Sequence, residues 1–135
     1  MASVETAGKA SAVLLVDSEV TVRLALTAFL RDCGHRVIEA ATSDEALVIL
    51  NAVDPVDVIL CSATVDGSLN GFGLATWVRR NRPELEVAIA GSAKAAADAA
   101  AQICDDGPRL GRPYEPQAVA DYIRQLRAAR DRRGK

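Results

Sequence analysis

The stretch Asp57-Val58-Ile59-Leu60-Cys61-Ser62, followed closely by Asp66-Gly67-Ser68-Leu69-Asn70-Gly71, decides the fold of this chain. After its first residue the run is apolar as far as Cys61. That suits a strand buried on both faces, the kind that fills the middle of a parallel sheet. The run stops at Ser62, a hydroxyl, and a loop of turn residues follows. In open α/β sheets ligands bind beyond the carboxyl ends of the strands. Ser62 is therefore the first place to look for function.

Working outward, Ala12–Val16 is a second aliphatic run of the same kind. Asp17 and Ser18 offer N-cap chemistry to a helix through about Cys33, with Val22, Ala25, Leu26, Phe29 and Cys33 on one face. Gly34 ends it, and Arg36–Ala40 is a short strand. Thr42 and Glu45 make a capping box for a helix that turns Ala46, Leu47, Leu50 and Val53 inward until Pro55. Residues 72–81 read as a helix with Phe72, Ala75 and Val78 on its apolar face, stopped by Pro83. Glu86–Ala90 is a weaker strand. Residues 93–104 are alanine-rich and helical by propensity, with little bulk to dock with, and are expected to be the least firmly packed helix. A turn at residues 105–108 leads to a minimal strand at Arg109-Leu110. Pro116 opens a final helix with Val119, Ile123 and Leu126 inward. Such alternation of strand and helix implies a parallel sheet with helices on both faces and right-handed crossovers.

Composition narrows the class. The chain has 135 residues, half of them hydrophobic and a quarter charged, enough for one domain with a real core. A formal net charge of −2 gives no nucleic-acid or membrane footprint. The basic C-terminal residues Arg124, Arg127, Arg130, Arg132, Arg133 and Lys135 suit a solvated helix end, because no aromatics interleave with them. The cysteines, Cys33, Cys61 and Cys104, are odd in number and widely spaced, so a disulfide framework or zinc site is not expected. Each reads as a small hydrophobe. No signal peptide or membrane span is legible, and a cytoplasmic location fits.

The strand ends place Asp17-Ser18, Ser62, Ala90-Gly91-Ser92 and Arg112-Pro113 at one rim. This layout resembles the receiver domain of bacterial response regulators, over residues 11–128. A receiver carries an acidic pair after its first strand, an acceptor aspartate after the third, a threonine or serine after the fourth, and a lysine before proline after the fifth. The matching positions are Asp17 and Ser18, Ser62, Ala90, and Arg112 before Pro113. The loop from Asp66 to Gly71 is similar to the family's turn, and Leu110-Gly111-Arg112-Pro113-Tyr114 to its lysine-proline-aromatic end.

The departures bear on function. Receivers hold magnesium through carboxylate oxygens. Here Asp17 is the only remaining candidate ligand among the matching positions, since Ser18 and Ser62 replace the other two carboxylates. Glu19 is expected to turn off the rim. Accepting a phosphoryl group needs an anionic oxygen and charge neutralisation, and a serine with no base beside it offers neither. Asp57 lies at the far end of its strand, and Asp66 reads as a surface turn residue within reach of the rim only if its loop moves. Arg112 either pairs with Asp17 across the pocket or points to solvent. The family's switch positions fall on Ala90, which has no hydroxyl, and Arg109, with Ser92 a substitute only after a register slip.

Other features read plainly. Gly71-Phe72-Gly73 follows the wrong strand for a dinucleotide fingerprint and is a helix start. The loop after the first strand has no glycine to cradle a flavin phosphate. His35 is expected on the surface at a helix-to-strand turn. Trp77 and Tyr122 are partner-contact candidates.

The expected architecture is a five-stranded parallel sheet in the flavodoxin-like order 2-1-3-4-5, with a leader at residues 1–11, a receiver-like domain at 12–129 and a basic tail at 130–135. The expected function is a two-component or phosphorelay signalling domain that is not an enzyme, does not take phosphate at the usual site and acts by protein contact. The alternative is a receiver with a displaced acceptor, Asp66 or Ser62. No nucleophile–base pair recommends an enzyme. No cofactor is expected and magnesium binding should be weak or absent. The resemblance implies a signalling partner, such as a histidine kinase or output protein, and a homodimer through the last two helices and last strand, with neither membrane nor nucleic acid as partner.

Overall fold

The computed structural model describes residues 12–52 and 55–106, together with positions 121, 123, 124 and 128. Its elements in chain order are β1 (Ala12–Val16), α1 (Val20–Asp32), β2 (Arg36–Ala40), α2 (Ser43–Asn51), β3 (Val58–Ser62), α3 (Gly71–Asn81), β4 (Glu86–Ala90) and α4 (Ala93–Asp106). The strands form one parallel sheet in the order β2-β1-β3-β4. Four strands are thus described where five were expected. The fifth, at Arg109-Leu110, falls outside the described residues, as do the leader, the tail, and Val53, Pro116, Val119 and Leu126.

Alternation along the strands builds two apolar layers. Val13 and Leu15 of β1 and Leu60 of β3 point toward α1 and α4, where they meet Leu26, Leu30, Ala97, Ala100 and Ile123. Leu14 and Val16, with Ile59 and Cys61, point toward α2 and α3 and meet Leu50, Leu74 and Val78. Asp57 ties the far edge of the sheet. Its Oδ2 accepts the Ala12 N–H at 2.8 Å, and its own N–H donates to the Ala12 carbonyl at 2.8 Å. This confirms Asp57 at the end of β3 opposite Ser62.

Local chemistry sets the helix ends. Gly34 has a φ of 96°, which permits the C-terminal closure of α1. The Gly34 N–H donates to the Arg31 carbonyl and the His35 N–H to the Leu30 carbonyl. At α2 the Thr42 hydroxyl accepts the Glu45 N–H at 3.1 Å, while the Glu45 carboxylate accepts the Ala41 N–H at 2.7 Å. α3 is capped by Asn70, whose side chain accepts the Gly73 N–H at 2.8 Å.

Several expectations are corrected. Phe72 does not face inward but is exposed, and Leu74 fills the inward position instead. The helix begins at Gly71, so its apolar stripe runs through Leu74, Ala75 and Val78. α4 is not loosely held. Ala96, Ala97 and Ala100 are buried, because side chains this small let the helix approach α1 closely. Cys33 and Cys104 are not separate hydrophobes. They form a disulfide with a Cα separation of 5.6 Å, joining the C-cap of α1 to the last turns of α4. His35 is buried rather than on the surface, with Nε2 3.1 Å from the Ile103 carbonyl. A carbonyl can only accept, so Nε2 carries the hydrogen. Among the described residues no partner meets Nδ1.

Candidate functional site at the strand ends

The register sets Val16 beside Cys61 and Ser62 beside Ala90, so β1, β3 and β4 end together. Beyond them opens a cavity of about 840 Å³. Its polar edge carries Asp17, Ser18, Glu19, Ser62, Thr64 and Ser92, and Leu60 and Ala90 lie at its base. The sequence-predicted rim residues Asp17, Ser18, Ser62 and Ala90 are therefore brought together. Arg109, Arg112 and Tyr122 lie outside the described residues.

Asp17 is half-buried, and its Oδ1 accepts the Glu19 N–H at 2.9 Å. Its backbone is fixed on both sides. Its N–H donates to the Ala40 carbonyl at 3.0 Å, and its carbonyl accepts Arg23 Nη1 at 2.8 Å. Arg23 also pairs through Nε with Glu39 at 3.0 Å. Glu19 reaches the cavity, contrary to expectation. α1 starts one residue later, and Glu19 is its N-cap with extended backbone (φ −85°, ψ 111°), so the helical rotation has not yet carried it away. Asp17 and Ser18 are consequently not caps themselves.

Ser18 has a task that the sequence did not disclose. Its hydroxyl donates to the Ala41 carbonyl and accepts the Asp66 N–H at 2.9 Å. One side chain thus joins the loops after β1, β2 and β3. The Asp66 carbonyl reinforces the junction by accepting the Ser43 N–H at 2.9 Å. Asp66 is exposed and is not among the residues that line the cavity.

Ser62 turns its hydroxyl toward the next loop. Oγ accepts the Thr64 N–H and meets Thr64 Oγ1, both at 3.3 Å. Ala90 presents a buried methyl beside it. Ser92 sits at the edge, but its Oγ accepts the Ala95 N–H at 3.0 Å and so caps the start of α4. Below Ser62, the buried Cys61 donates its thiol hydrogen to the Ser62 carbonyl at 3.3 Å. Burial pushes that thiol up to about 12, and the Asp17 carboxylate acts in the same direction. Trp77 lies away from the rim, half-buried against the layer beneath α2 and α3.

The cavity lies at the carboxyl edge of an open parallel α/β sheet, the edge where folds of this class commonly bind ligands. The model of the response regulator receiver domain matches residues 13–109, and the chain belongs to that family of two-component signalling domains. Similar solved structures include a response regulator receiver domain protein from Clostridium thermocellum, 21% identical, with a TM-score of 0.56 over 90% of this chain and 97% of that one. The receiver domain of NtrX from Brucella abortus is 25% identical, with a TM-score of 0.56 over 87% of this chain and 95% of its own. A CheY-like receiver domain protein from Methanospirillum hungatei is 16% identical, with a TM-score of 0.58 over 93% and 99%. Comparison with curated proteins finds no match. Among the described residues no helix is long and apolar enough to cross a membrane.

Proposed function

We propose that this receiver domain does not accept phosphate at the family's usual position and signals through protein contact. The observation that carries this reading is the engagement of the two serines. Ser62 offers a neutral hydroxyl already bonded to Thr64, and the Ser18 hydroxyl is used on both its donor and acceptor sides by Ala41 and Asp66. Phosphoryl acceptance needs an anionic nucleophile and concentrated positive charge opposite it.

The donor set does not fit a magnesium ion held in the family's manner. Magnesium demands near-ideal octahedral oxygen geometry. The described rim offers it carboxylates from neighbouring residues, Asp17 and Glu19, with Asp17 Oδ1 already accepting the Glu19 N–H. Among the described residues no three His, Cys, Asp or Glu side chains gather to hold a metal. Asp66 suits a displaced acceptor poorly, since its backbone is pinned on both sides and its side chain lies outside the cavity.

A signalling protein is the expected partner, with α4 and the chain beyond it as the contact face, and Trp77 and Tyr122 as further candidates. The same face could pair two copies of the chain.

The test is direct. The chain is incubated with a small phosphoryl donor and magnesium and weighed intact. No mass gain is expected. A gain abolished by Ser62→Ala or Asp66→Asn would overturn the reading. As a converse measurement, Ser18→Asp with Ser62→Asp should raise magnesium affinity at least about tenfold by calorimetry. No rise would mean that the rim geometry, beyond the two side chains, excludes the ion.

A further inference from the structure

The disulfide joins the C-terminal ends of two helices. Cys33 is the C-cap of α1, and Cys104 lies near the end of α4. The other end of α4 forms part of the cavity wall through Ala93 and Ala96, next to Gly91 and Ser92 of the preceding turn. α4 therefore links the disulfide to the rim.

Apart from the disulfide, its hold on the core is made almost entirely of single methyl groups. The buried inward positions of α4 other than Cys104 are Ala96, Ala97 and Ala100, each contributing one methyl, with Ala93, Ala95, Ala99, Ala101 and Ile103 partly buried beside them. Apolar stabilisation scales with buried area, so three methyls anchor far less than three leucines would. A second tie lies next to the disulfide, where His35 Nε2 donates to the Ile103 carbonyl at 3.1 Å. Unlike Cys61, which is fully sealed, Cys33 and Cys104 each keep 8% of their surface in solvent. They sit at helix ends, where local opening is easiest.

We propose that Cys33–Cys104 is a redox-responsive tie, and that thiol–disulfide exchange at this pair sets how firmly α4 is held against α1 and so how the cavity wall is placed. A dithiol reductant supplies the electrons. One of its thiolates attacks one sulfur of the pair, forming a mixed disulfide and releasing the other cysteine as a thiolate that takes a proton. The reductant's second thiolate then attacks the reductant sulfur of that mixed disulfide, and the remaining cysteine leaves as a thiolate that takes a proton. Two electrons and two protons have moved, the pair ends as two thiols, and the reductant ends as a disulfide. The reduced cysteines remain acceptable core residues, since a free thiol behaves as a small hydrophobe. In reducing compartments, the disulfides that do form are mostly transient or redox-sensing. The proposal stands whether or not Ser62 accepts phosphate.

The experiment uses the whole chain in dithiothreitol redox buffers of graded ratio. Native thiols are counted by alkylation and intact mass, and backbone amide exchange is followed in both states. Reduction is expected without unfolding, with two thiols gained. Amide exchange across residues 93–104 should then accelerate by at least about tenfold, while β1 and β3 are unchanged. The Cys33→Ala/Cys104→Ala variant should show the reduced pattern and no response to dithiothreitol. Should that variant fail to fold, the wild-type titration decides alone. Reduction that occurs only with global unfolding, equal exchange in both states, or two native thiols persisting in oxidised dithiothreitol would each overturn the proposal.

Discussion

Cys61 stands one residue behind the rim and shows how burial alone changes a side chain's chemistry. Its thiol is pushed up to about 12 from an ordinary value of 9.0, by burial first and then by Asp17. The folded form therefore keeps its proton over a range in which the unfolded form has lost it. That stability is fully present below about pH 9 and is lost as pH rises toward about 12. The slope should approach about 1.4 kcal/mol per pH unit. Urea denaturation from pH 8 to 11 is expected to show it, and Cys61→Ala should remove it. A slope unchanged in that variant would assign it to other groups. At this scale the rim was legible: Asp17, Ser18, Ser62 and Ala90 do meet at one cavity. What each hydroxyl bonds to was not. The partners of Ser18, Ala41 and Asp66, are 23 and 48 residues away in sequence, and no local pattern signals them. His35 was misread for the same reason, because Ile103, the residue that covers its ring nitrogen, lies 68 residues on. Glu19 was misplaced by the shift of one residue in where α1 begins.

Between elements, the start of α3 fits closely against the end of β3. A Cβ on Gly71 would lie 2.4 Å from the Ser62 carbonyl oxygen and 2.8 Å from the Ala63 Cα. Both are backbone, so neither can swing aside. At Gly73 the nearest atoms belong to the Leu69 side chain at 3.3 Å, which can adjust. Gly71→Ala is therefore expected to cost about 2 kcal/mol by chemical denaturation, and Gly73→Ala less than half as much. Equal costs would mean that backbone approach at the rim is not what selects glycine. The sequence marked both glycines as a helix start without separating them, since close approach is a tertiary property. The elements themselves were readable from periodicity, from the capping box at Thr42 and from the closing glycine at Gly34. The packing of α4 was not. Alanines report propensity rather than partners, and the pairing of Cys33 with Cys104 spans 71 residues. On the chain-entropy account, closing a loop of that length is worth about 4 kcal/mol, so a single unforeseen bond changes the standing of a whole helix.

In the whole molecule, one sheet separates two apolar layers, and successive residues of β1 belong to different ones. Leu14 packs toward α2 and α3, while Leu15 packs toward α1 and α4. Because both layers share the strands, neither should survive the loss of the other. Leu14→Ala and Leu15→Ala are each expected to cost about 3 kcal/mol. Each should leave one unfolding transition, with circular dichroism and Trp77 fluorescence coincident. Trp77 sits in the Leu14 layer, so a fluorescence transition that outlasts the loss of helix in Leu15→Ala would mean that the layers come apart separately. The order β2-β1-β3-β4 also has a consequence for how the chain is assembled. β1 is the earliest strand in sequence, yet it takes its second neighbour only from residues 58–62. Until a ribosome has delivered those residues, one edge of Val13-Leu14-Leu15-Val16 is open along its full apolar length. That edge is a template for pairing with another nascent chain. Crowding on a polysome therefore threatens this protein most in the interval between the emergence of β1 and the arrival of β3.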